Sequence, residues 1–578
     1  MAHGRAWRYR DYVVESLNSD KPFDRFVTEQ LAGDLMAWEG QLQRNEHLTA
    51  TGFLSIGPKV LAETDQAKMR MDIIDEQIDT VGRALMGLTL GCARCHDHKF
   101  DPIATSEYYA LAGIFKSTLT MRKYTKVAEW NEHLLPSPEA TAMKLAYDQK
   151  VVAAKRDVEQ ARASAREAVR KRLDQDRRSG DKSDKELEKR FSPEEMARIK
   201  KLADVVAALE KAGPNLPAAM GVTEDKITDV KVHLRGDPQT LGDVVRRGVP
   251  AVLRGPPAPR IAEKTSGRLA LARWLTDPRH PLTARVLVNR VWRWHFGRGL
   301  VVSTDNFGLL GEPPTHPGLL DWLSVRLIRD GWSIKRLHRL IVLSRTYGLS
   351  SQANAVAVQQ DPDNRWLGRV RVRRIEAEAI RDALLAVGGQ LDGTMTGSLL
   401  KLKNRAYFFD HTSKDLTTYD SRRRSIYLPV VRNHVYDMFQ LLDFPDPAVT
   451  TGDRTSTVVA SQALMMLNSK VVMAAADGLA RRLQSEADGL MAGSVACTSW
   501  CTGAPTAGER QADRRLLAEL GGGNGNRQGR WGKPGPRLPW RPGPGVPCRA
   551  RLQRVHVPEV TVDAGGEFSR REGKRARA

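Results

Sequence analysis

Residues Cys92-Ala93-Arg94-Cys95-His96 are the most informative stretch of this chain, because they match the Cys-x-x-Cys-His pattern of covalent c-type haem attachment. Two thiols three positions apart on one helical turn can each add to one vinyl group at the porphyrin edge. The histidine beside the second thiol can then supply its imidazole to the iron. The other three cysteines of the chain all lie beyond residue 490. The sequence therefore predicts a haem c held by Cys92, Cys95 and His96.

Other interpretations of this motif stay open. Cys92, Cys95, His96 and His98 could hold zinc or another divalent metal, although no second close ligand pair follows them, as compact zinc sites usually require. The thiols could also be a redox pair, although no βαβ pattern surrounds them, or a disulfide, or simply buried thiols. For a haem, His98 is too close to His96 to reach the opposite face of the iron. Met121, or a methionine or histidine from the C-terminal half, could do so, and an open five-coordinate iron is equally allowed.

The sequence on both sides of the motif predicts helices. Apolar residues recur at i, i+3 and i+4 in two stretches near the N-terminus, and residues 71–88 predict a longer amphipathic helix that runs almost into the motif. After a loop, Ser106 is a candidate N-cap for the next helix. We therefore expect residues 1–130 to form the C-terminal part of a helical, cytochrome-like domain.

The remaining chain divides by composition and periodicity. Residues 138–212 are rich in charged residues and alanine with heptad-like apolar spacing, which predicts a projecting, coiled-coil-like helical hairpin that breaks near Gly180. Residues 213–265 are expected to form a β-containing linker, and residues 266–490 a second helical domain. Residues 491–578 have a Gly/Pro/Arg composition that predicts disorder, and their abrupt onset favours a frameshift. The expected fold class is mainly α and multi-domain.

Charge and hydropathy restrict the function. The net charge of +22 suggests anionic partners, but no nucleic-acid module is recognisable and basic residues alternate with apolar ones on helices, which disfavours nucleic-acid binding. No run of about 18 apolar residues predicts a transmembrane segment. The first residues lack the apolar region of a signal peptide. Since c-type haem is attached outside the cytoplasm, the haem hypothesis implies that the true N-terminus is missing.

A polar and aromatic cluster in the second helical domain has two interpretations. His295 or His316 could act as a general base in a substrate pocket that also contains His280. Alternatively, residues such as Asn289 form a hydrogen-bonded network that holds the glycine-rich loop 296–299. We favour the structural network, because a pocket requires a geometry that the sequence does not supply.

Two groups of acidic residues are also candidates. Glu376 and Glu378 are two positions apart, so on a helix they are expected to point to different faces and to make a poor acid/base pair. Asp443, Asp446 and Asp453 could ligate calcium, but their spacing is not that of an EF-hand loop, and capped turns are favoured.

Several of these stretches resemble a known pair of domains. Residues 7–13, 20–26, 87–103 and 108–115 resemble the planctomycete cytochrome-c-like domain. Its usual C-terminal companion, the planctomycete-specific PSD domain, is similar to residues 280–292, 295–300, 311–317, 373–382, 444–447 and 463–468. The resemblance covers about residues 7–485 and implies an exported protein that carries electrons. Members usually have an export signal and further N-terminal sequence, so the chain resembles a truncated member.

We therefore expect an exported c-type haem-binding protein of the periplasm or cell surface that transfers electrons. Its PSD-like domain would bind an unknown redox partner or substrate. Two alternatives remain: an enzyme with its site in the PSD-like domain and a non-haem metal at the motif, or a non-catalytic surface or scaffolding protein. Whether the chain is an enzyme stays open.

Overall fold

The computed structural model describes residues 2–486, apart from residues 126, 176–182, 214–215, 254, 353–354 and 407–416. Within this part the fold is mainly α, as predicted, and the strands form two-stranded antiparallel ladders. The expected tail at 491–578 and the expected hairpin break at Gly180 lie outside the described residues.

The helices are α1 (Trp7–Asn18), α2 (Phe23–Ala32), α3 (Gln41–Ala50), α4 (Phe53–Ile56), α5 (Gln66–Val81), α6 (Thr105–Lys116), α7 (Pro138–Gln175), α8 (Asp184–Glu188), α9 (Pro193–Ala212), α10 (Arg268–Leu275), α11 (Thr283–Phe296), α12 (Pro317–Arg329), α13 (Ile334–Val342), α14 (Ala355–Gln360), α15 (Ala377–Val387), α16 (Asp437–Leu441), α17 (Ala460–Asn468) and α18 (Lys470–Glu486). The strands are β1 (Thr118–Leu119), β2 (Met121–Lys123), β3 (Glu129–Trp130), β4 (Glu132–Leu134), β5 (Ala218–Met220), β6 (Thr223–Glu224), β7 (Val230–His233) and β8 (Leu241–Val245).

The first hydrophobic core is built around α2, α5 and α6. Every residue of α6 from Tyr108 to Phe115 is buried, so this helix forms its centre. The helix α10 also contributes to this core, through residues such as Leu271 and Trp274. Its first residue, Arg268, is fully buried and makes two hydrogen bonds of 2.7 and 2.8 Å to the Asp34 carboxylate. The start of the second helical region therefore belongs physically to the first core.

Residues 213–265 contain strands, as predicted, and two of these strands pair with strands of the N-terminal region. The strand β6 pairs with β1, and β5 pairs with β4, while β7 and β8 pair with each other. We expected a linker at 213–265. The segment also packs against the first core, to which the buried Val222 and Val230 belong.

The charged insert folds as the predicted helical hairpin. The long helices α7 and α9 pack against each other, and Tyr147 donates a hydrogen bond of 3.0 Å to the carbonyl of Leu209. Ion pairs such as Arg172 with Glu195 link the exposed sides of the two helices. Both ends of the hairpin meet at the β4–β5 ladder, so it projects from one point on the body.

Two further cores lie in the second region. The helices α11, α12 and α13 form one, and α15 to α18 form the other. The chain turns between α12 and α13 at Gly331 and Trp332, which both have positive φ angles, +71° and +58°. No single helix in the described ranges is long and apolar enough to cross a membrane. The pair Ala460–Asn468 and Lys470–Ser485, bent by 49°, passes that test by length and composition.

Two predicted boundaries near the motif need correction. The α-helix expected at 71–88 ends at Val81 and continues as one π-helical turn to Met86. Gly87 has a φ of +62°, which returns the chain so that the Leu88 N–H reaches the Gly82 carbonyl and terminates the helix. The next helix begins at Thr105, so Ser106 is not its N-cap. The Glu107 carboxylate accepts from the Ala104 N–H instead.

Candidate functional site

The two cysteines of the motif lie on one exposed side of a short turn. Residues Gly91–Arg94 form a 3₁₀ helix, and the Cys95 N–H donates to the Cys92 carbonyl. Side chains three positions apart eclipse in a 3₁₀ helix, so both thiols face the same way. Both are free and exposed, while Ala93 between them is fully buried. The buried alanine anchors the turn and leaves the thiols facing solvent.

Arg94 fastens this turn to the core. Its guanidinium contacts the carboxylates of Asp72 (2.8 Å) and Asp75 (3.4 Å), which lie one turn apart on α5. The Tyr109 hydroxyl donates to the Arg94 carbonyl at 2.9 Å. Burial raises the pKa of the Asp75 carboxyl group, although Tyr108 and Arg94 both donate hydrogen bonds to it. The motif turn is therefore held against α5 and α6 by these ion pairs and hydrogen bonds.

The ring of His96 is exposed and has a defined tautomer. Its Nδ1 lies 2.7 Å from the Asp97 carbonyl oxygen, which can only accept, so Nδ1 carries the proton and donates it. In the neutral ring, the lone pair is then on Nε2. The Asp97 carboxylate accepts from the Thr105 N–H at 2.8 Å, and this hydrogen bond lowers the pKa of Asp97.

The ring of His98 makes hydrogen bonds that stabilise the loop after the motif. Its Nδ1 accepts from the Asp101 N–H at 2.8 Å, and its Nε2 lies 3.5 Å from the Thr89 hydroxyl. The Asp101 carboxylate lies 3.6 Å from the same Nδ1, but a nitrogen that accepts a hydrogen bond is not protonated, so this is not an ion pair. Among the described residues, no three His, Cys, Asp or Glu side chains are grouped so as to hold a metal ion.

The Cys95 sulfur is in close contact with the β7–β8 connection. A Cβ atom at Gly236, which has a φ of +79°, would come within 2.6 Å of the Cys95 sulfur. Only glycine fits there without moving the thiol. Met121, by contrast, does not share this surface. It is buried in a separate cluster with Met69 and Trp130, so it is not placed as a sixth ligand for an iron at the exposed motif.

The second helical region packs directly behind the motif. Arg290 of α11 donates to the carbonyls of Ala84 and Arg83 in the π-helical turn. The Phe307 N–H donates to the Gly87 carbonyl at 2.6 Å. Sequence reasoning missed these contacts because they join residues about 200 positions apart. They show that the motif is held by both regions.

The histidines proposed as a pocket are not brought together. His280 is buried, packs edge-on against Trp274 and accepts through Nδ1 from Thr283 at the start of α11. Burial lowers the pKa of His280 to about 4. His295 instead contacts His338 at 2.7 Å, and His316 lies 3.0 Å from the hydroxyl of its neighbour in sequence. Each ring has its own structural surroundings.

The structural interpretation of this cluster is confirmed at Asn289. Its fully buried amide makes two hydrogen bonds of 2.8 Å with the backbone of Val301. A Cβ atom at Gly299 would come within 2.8 Å of the same amide. Asn289 therefore holds the loop that follows α11, as expected for a structural network.

The expectation that Glu376 and Glu378 point to different faces of a helix is wrong. Glu376 is not helical but precedes the first residue of α15, so the two-position rule for helices does not apply. Both carboxylates converge on Arg454, at 3.1 and 2.8 Å from one of its nitrogens. They line an acidic cleft of about 970 Å³, part of it open to solvent, which also contains Asp382 and the aromatic ring of Tyr436.

The candidate calcium ligands serve turns and ion pairs. Asp443 accepts from the Thr457 N–H and pairs with Arg374, and Asp446 accepts from an N–H two residues later. Asp453 pairs with Arg293. These contacts agree with the capped-turn interpretation.

The chain is therefore a mainly helical protein with an exposed Cys-x-x-Cys-His turn. A second helical region contacts the segments on either side of this turn. Residues 1–120 match the family PSCyt2, protein of unknown function (DUF1549), and residues 267–517 match PSD1, protein of unknown function (DUF1553). The two matches and their order correspond to the planctomycete cytochrome-c-like domain followed by the PSD domain. The second match continues past residue 490. No curated protein and no solved structure matches the chain.

Proposed function

We propose that Cys92 and Cys95 attach a haem c covalently, that His96 ligates its iron, and that the chain transfers electrons. The observation that carries the proposal is the contact of His96 Nδ1 with the Asp97 carbonyl oxygen, because a neutral ring that donates through Nδ1 keeps its lone pair on Nε2 for the iron. Ligating histidines characteristically donate their second ring N–H to a carbonyl or carboxylate, because this bond fixes the ring orientation.

The thiols also fit this chemistry. Both are free, exposed and on one side of the 3₁₀ turn. In attachment, each S–H adds across a vinyl double bond: a C–S bond forms, the hydrogen passes to the neighbouring vinyl carbon, and no oxidant is consumed. A bound haem would supply one-electron transfer. The exposed position of the turn would give a redox partner access to it, and attachment outside the cytoplasm implies a periplasmic or cell-surface protein.

Two observations bear on the alternatives. A zinc or other divalent-metal site would use His98, but Nδ1 of that ring accepts from the Asp101 N–H and Nε2 lies 3.5 Å from the Thr89 hydroxyl. The enzyme alternative gains support from the acidic cleft, in which three carboxylates adjoin aromatic side chains. No reaction follows from that arrangement alone, so haem binding is the function that we propose.

Four variants test the proposal in protein exported together with haem-maturation machinery. We expect C92A and C95A each to lose one thioether bond and the double variant to lose covalent haem. H96A should retain pigment with an altered iron spectrum. H98N is the discriminating control, because its amide oxygen can replace Nδ1 as the acceptor for Asp101. Haem binding predicts full retention in H98N, whereas a tetrahedral metal site predicts loss of the bound metal. Wild-type protein that carries zinc and no pigment would refute the proposal.

A further inference from the structure

A second cleft lies on the PSD region, between the end of α11 and the loop 361–371. It is narrow: the space open to water-sized groups is only about 30 Å³, within about 420 Å³ of unfilled space that includes open solvent. Its lining is Trp292, Phe296, Arg298, Gly299, Leu300, Thr315, Asn364, Arg365, Leu367, Arg369 and Arg371. Four of these eleven residues are arginines, and none is Asp or Glu. We call it the arginine cleft.

The guanidinium groups in this cleft have few partners of opposite charge. Arg369 donates to the carbonyls of Asp361 and Pro362, and Arg371 donates to the carbonyl of Asp363. The buried Nε of Arg298 has no hydrogen-bond partner among the described residues. A buried donor without a partner costs stability, so its retention needs a reason.

The carboxylates of Asp361 and Asp363 attract these arginines, but they are fewer than the four guanidinium groups, and Asp361 is also bound to the loop backbone. Both oxygens of Asp361 accept from backbone N–H groups, those of Arg365 and Trp366 at 2.7 and 2.8 Å. Burial lowers the pKa of Arg371, and the positive charge of Arg298 lowers it further. The electrostatic balance of the cleft is therefore positive.

The loop is also closed by hydrogen bonds of its own. Asn364 is buried, has a φ of +50°, and its amide makes hydrogen bonds of 2.7 and 3.2 Å with the backbone of Arg369. Together with the Asp361 carboxylate, this amide closes the loop on itself. Guanidinium groups that are held near one another in a fixed arrangement are typical of anion-binding sites.

We infer that the arginine cleft binds an oxyanion group, such as phosphate, sulfate or carboxylate, carried by a small organic molecule. Arg298 and Arg371 provide the charged donors, because planar guanidinium forks match two oxygens of such a group at once. The rings of Trp292 and Phe296, stacked 4.1 Å apart, form an apolar wall for the organic part. This inference does not depend on haem attachment.

Isothermal titration of the full chain at low ionic strength tests the inference with three probes: inorganic phosphate, sulfate and benzoate. We expect at least one to bind the wild type, and R298Q and R371Q each to weaken it by about tenfold or more. A preference for the tetrahedral ions or for benzoate identifies the type of oxyanion.

R339Q is the matched control, because Arg339 is exposed on α13 and is not part of the cleft lining. It should bind as the wild type does. Circular dichroism spectra of all variants should match the wild type, and if one cleft variant misfolds, the other decides. If none of the probes binds the wild type, or if R298Q or R371Q, once shown to be folded, binds as tightly as R339Q, the inference is wrong.

Discussion

The Asp101 carboxylate accepts a hydrogen bond of 2.6 Å from the backbone N–H of Leu309, 208 residues further along the chain. Asp101 belongs to the loop that follows the Cys-x-x-Cys-His motif, and Leu309 belongs to a glycine-flanked turn of the PSD region. A Cβ atom at Gly308 would come within 2.4 Å of the same carboxylate. The two matched domains therefore meet at the motif loop itself.

Removing this bond should loosen the contact between the two regions. We expect D101A to lower the free energy of unfolding by roughly 1–3 kcal/mol, because the Leu309 N–H loses its acceptor. The backbone N–H of residue 101 remains, so the bond to His98 should persist. Denaturant titration and hydrogen exchange at the Leu309 amide measure the two effects.

Two further variants serve as a second test and as a control for D101A. G308A should act in the same direction, because a methyl group there would displace the carboxylate. D446A is the matched control: this exposed carboxylate also accepts a backbone N–H, but within its own turn. Unchanged exchange at Leu309 in D101A would show that the contact does not couple the regions.

Stability should fall in mild acid because of His280. Burial lowers its pKa from 6.5 to about 4, so the unfolded chain takes up a proton before the folded protein does. The free energy of unfolding that the neutral, buried His280 ring contributes is therefore fully present above pH 6.5 and is lost as the pH falls toward about 4. A shift of this size corresponds to at most about 3 kcal/mol. Unfolding free energies measured from pH 7 to pH 4 should show the loss.

The variant H280N isolates this residue. Its amide oxygen can accept from the Thr283 N–H, as Nδ1 does, but it does not titrate. We expect its stability to depend less steeply on pH in this window. Part of the slope should remain, because burial also lowers the pKa of His3, to about 3. Identical slopes for wild type and H280N would contradict the assignment.

The buried pair of Arg268 and Asp34 joins α10 to the first core. Replacing Arg268 with leucine should cost about 3–5 kcal/mol, because Asp34 is left buried and charged without a partner. The double variant D34L/R268L should recover much of the loss, since it removes both charges. Chemical denaturation of the four proteins in the cycle measures the coupling. Additive losses would show that the two side chains act independently.

Local sequence patterns predicted the elements of this fold well. The helices on both sides of the motif and the helical hairpin of the insert were predicted, because helix formation depends on neighbours within one or two turns. The pairing of β4 with β5 was not predictable. Strands of three residues, separated by the whole hairpin, carry no local signal for each other.

The candidate site divides in the same way. The motif identified Cys92, Cys95 and His96, but the tautomer of His96 depends on a backbone carbonyl, which any residue at 97 would supply. The ion pairs of Arg94 with Asp72 and Asp75 had a signal in the sequence, because the two carboxylates are three positions apart on one face of a helix. The convergence of Glu376 and Glu378 had no such signal in the sequence, because it depends on the residue at which α15 begins.

The hairpin should be removable. The ends of β4 and β5 are paired, and the Leu135 N–H donates to the Pro217 carbonyl, so a short flexible linker can replace residues 140–210. The buried apolar residues Val158, Val169 and Leu187 lie within the insert, so their contacts leave with it. We expect the shortened protein to keep the near-ultraviolet spectrum of the body and its covalent pigment. Loss of cooperative unfolding would make the hairpin part of the core.

The most direct test of haem attachment is the intact mass of the exported protein after acid-acetone extraction. A haem held through Cys92 and Cys95 survives this treatment, because thioether bonds are not broken by acid and solvent. We expect the extracted wild-type chain to be heavier than the C92A/C95A variant by one haem, beyond the difference of the two substitutions, and to remain coloured. A colourless chain with the mass of the polypeptide alone would contradict c-type attachment.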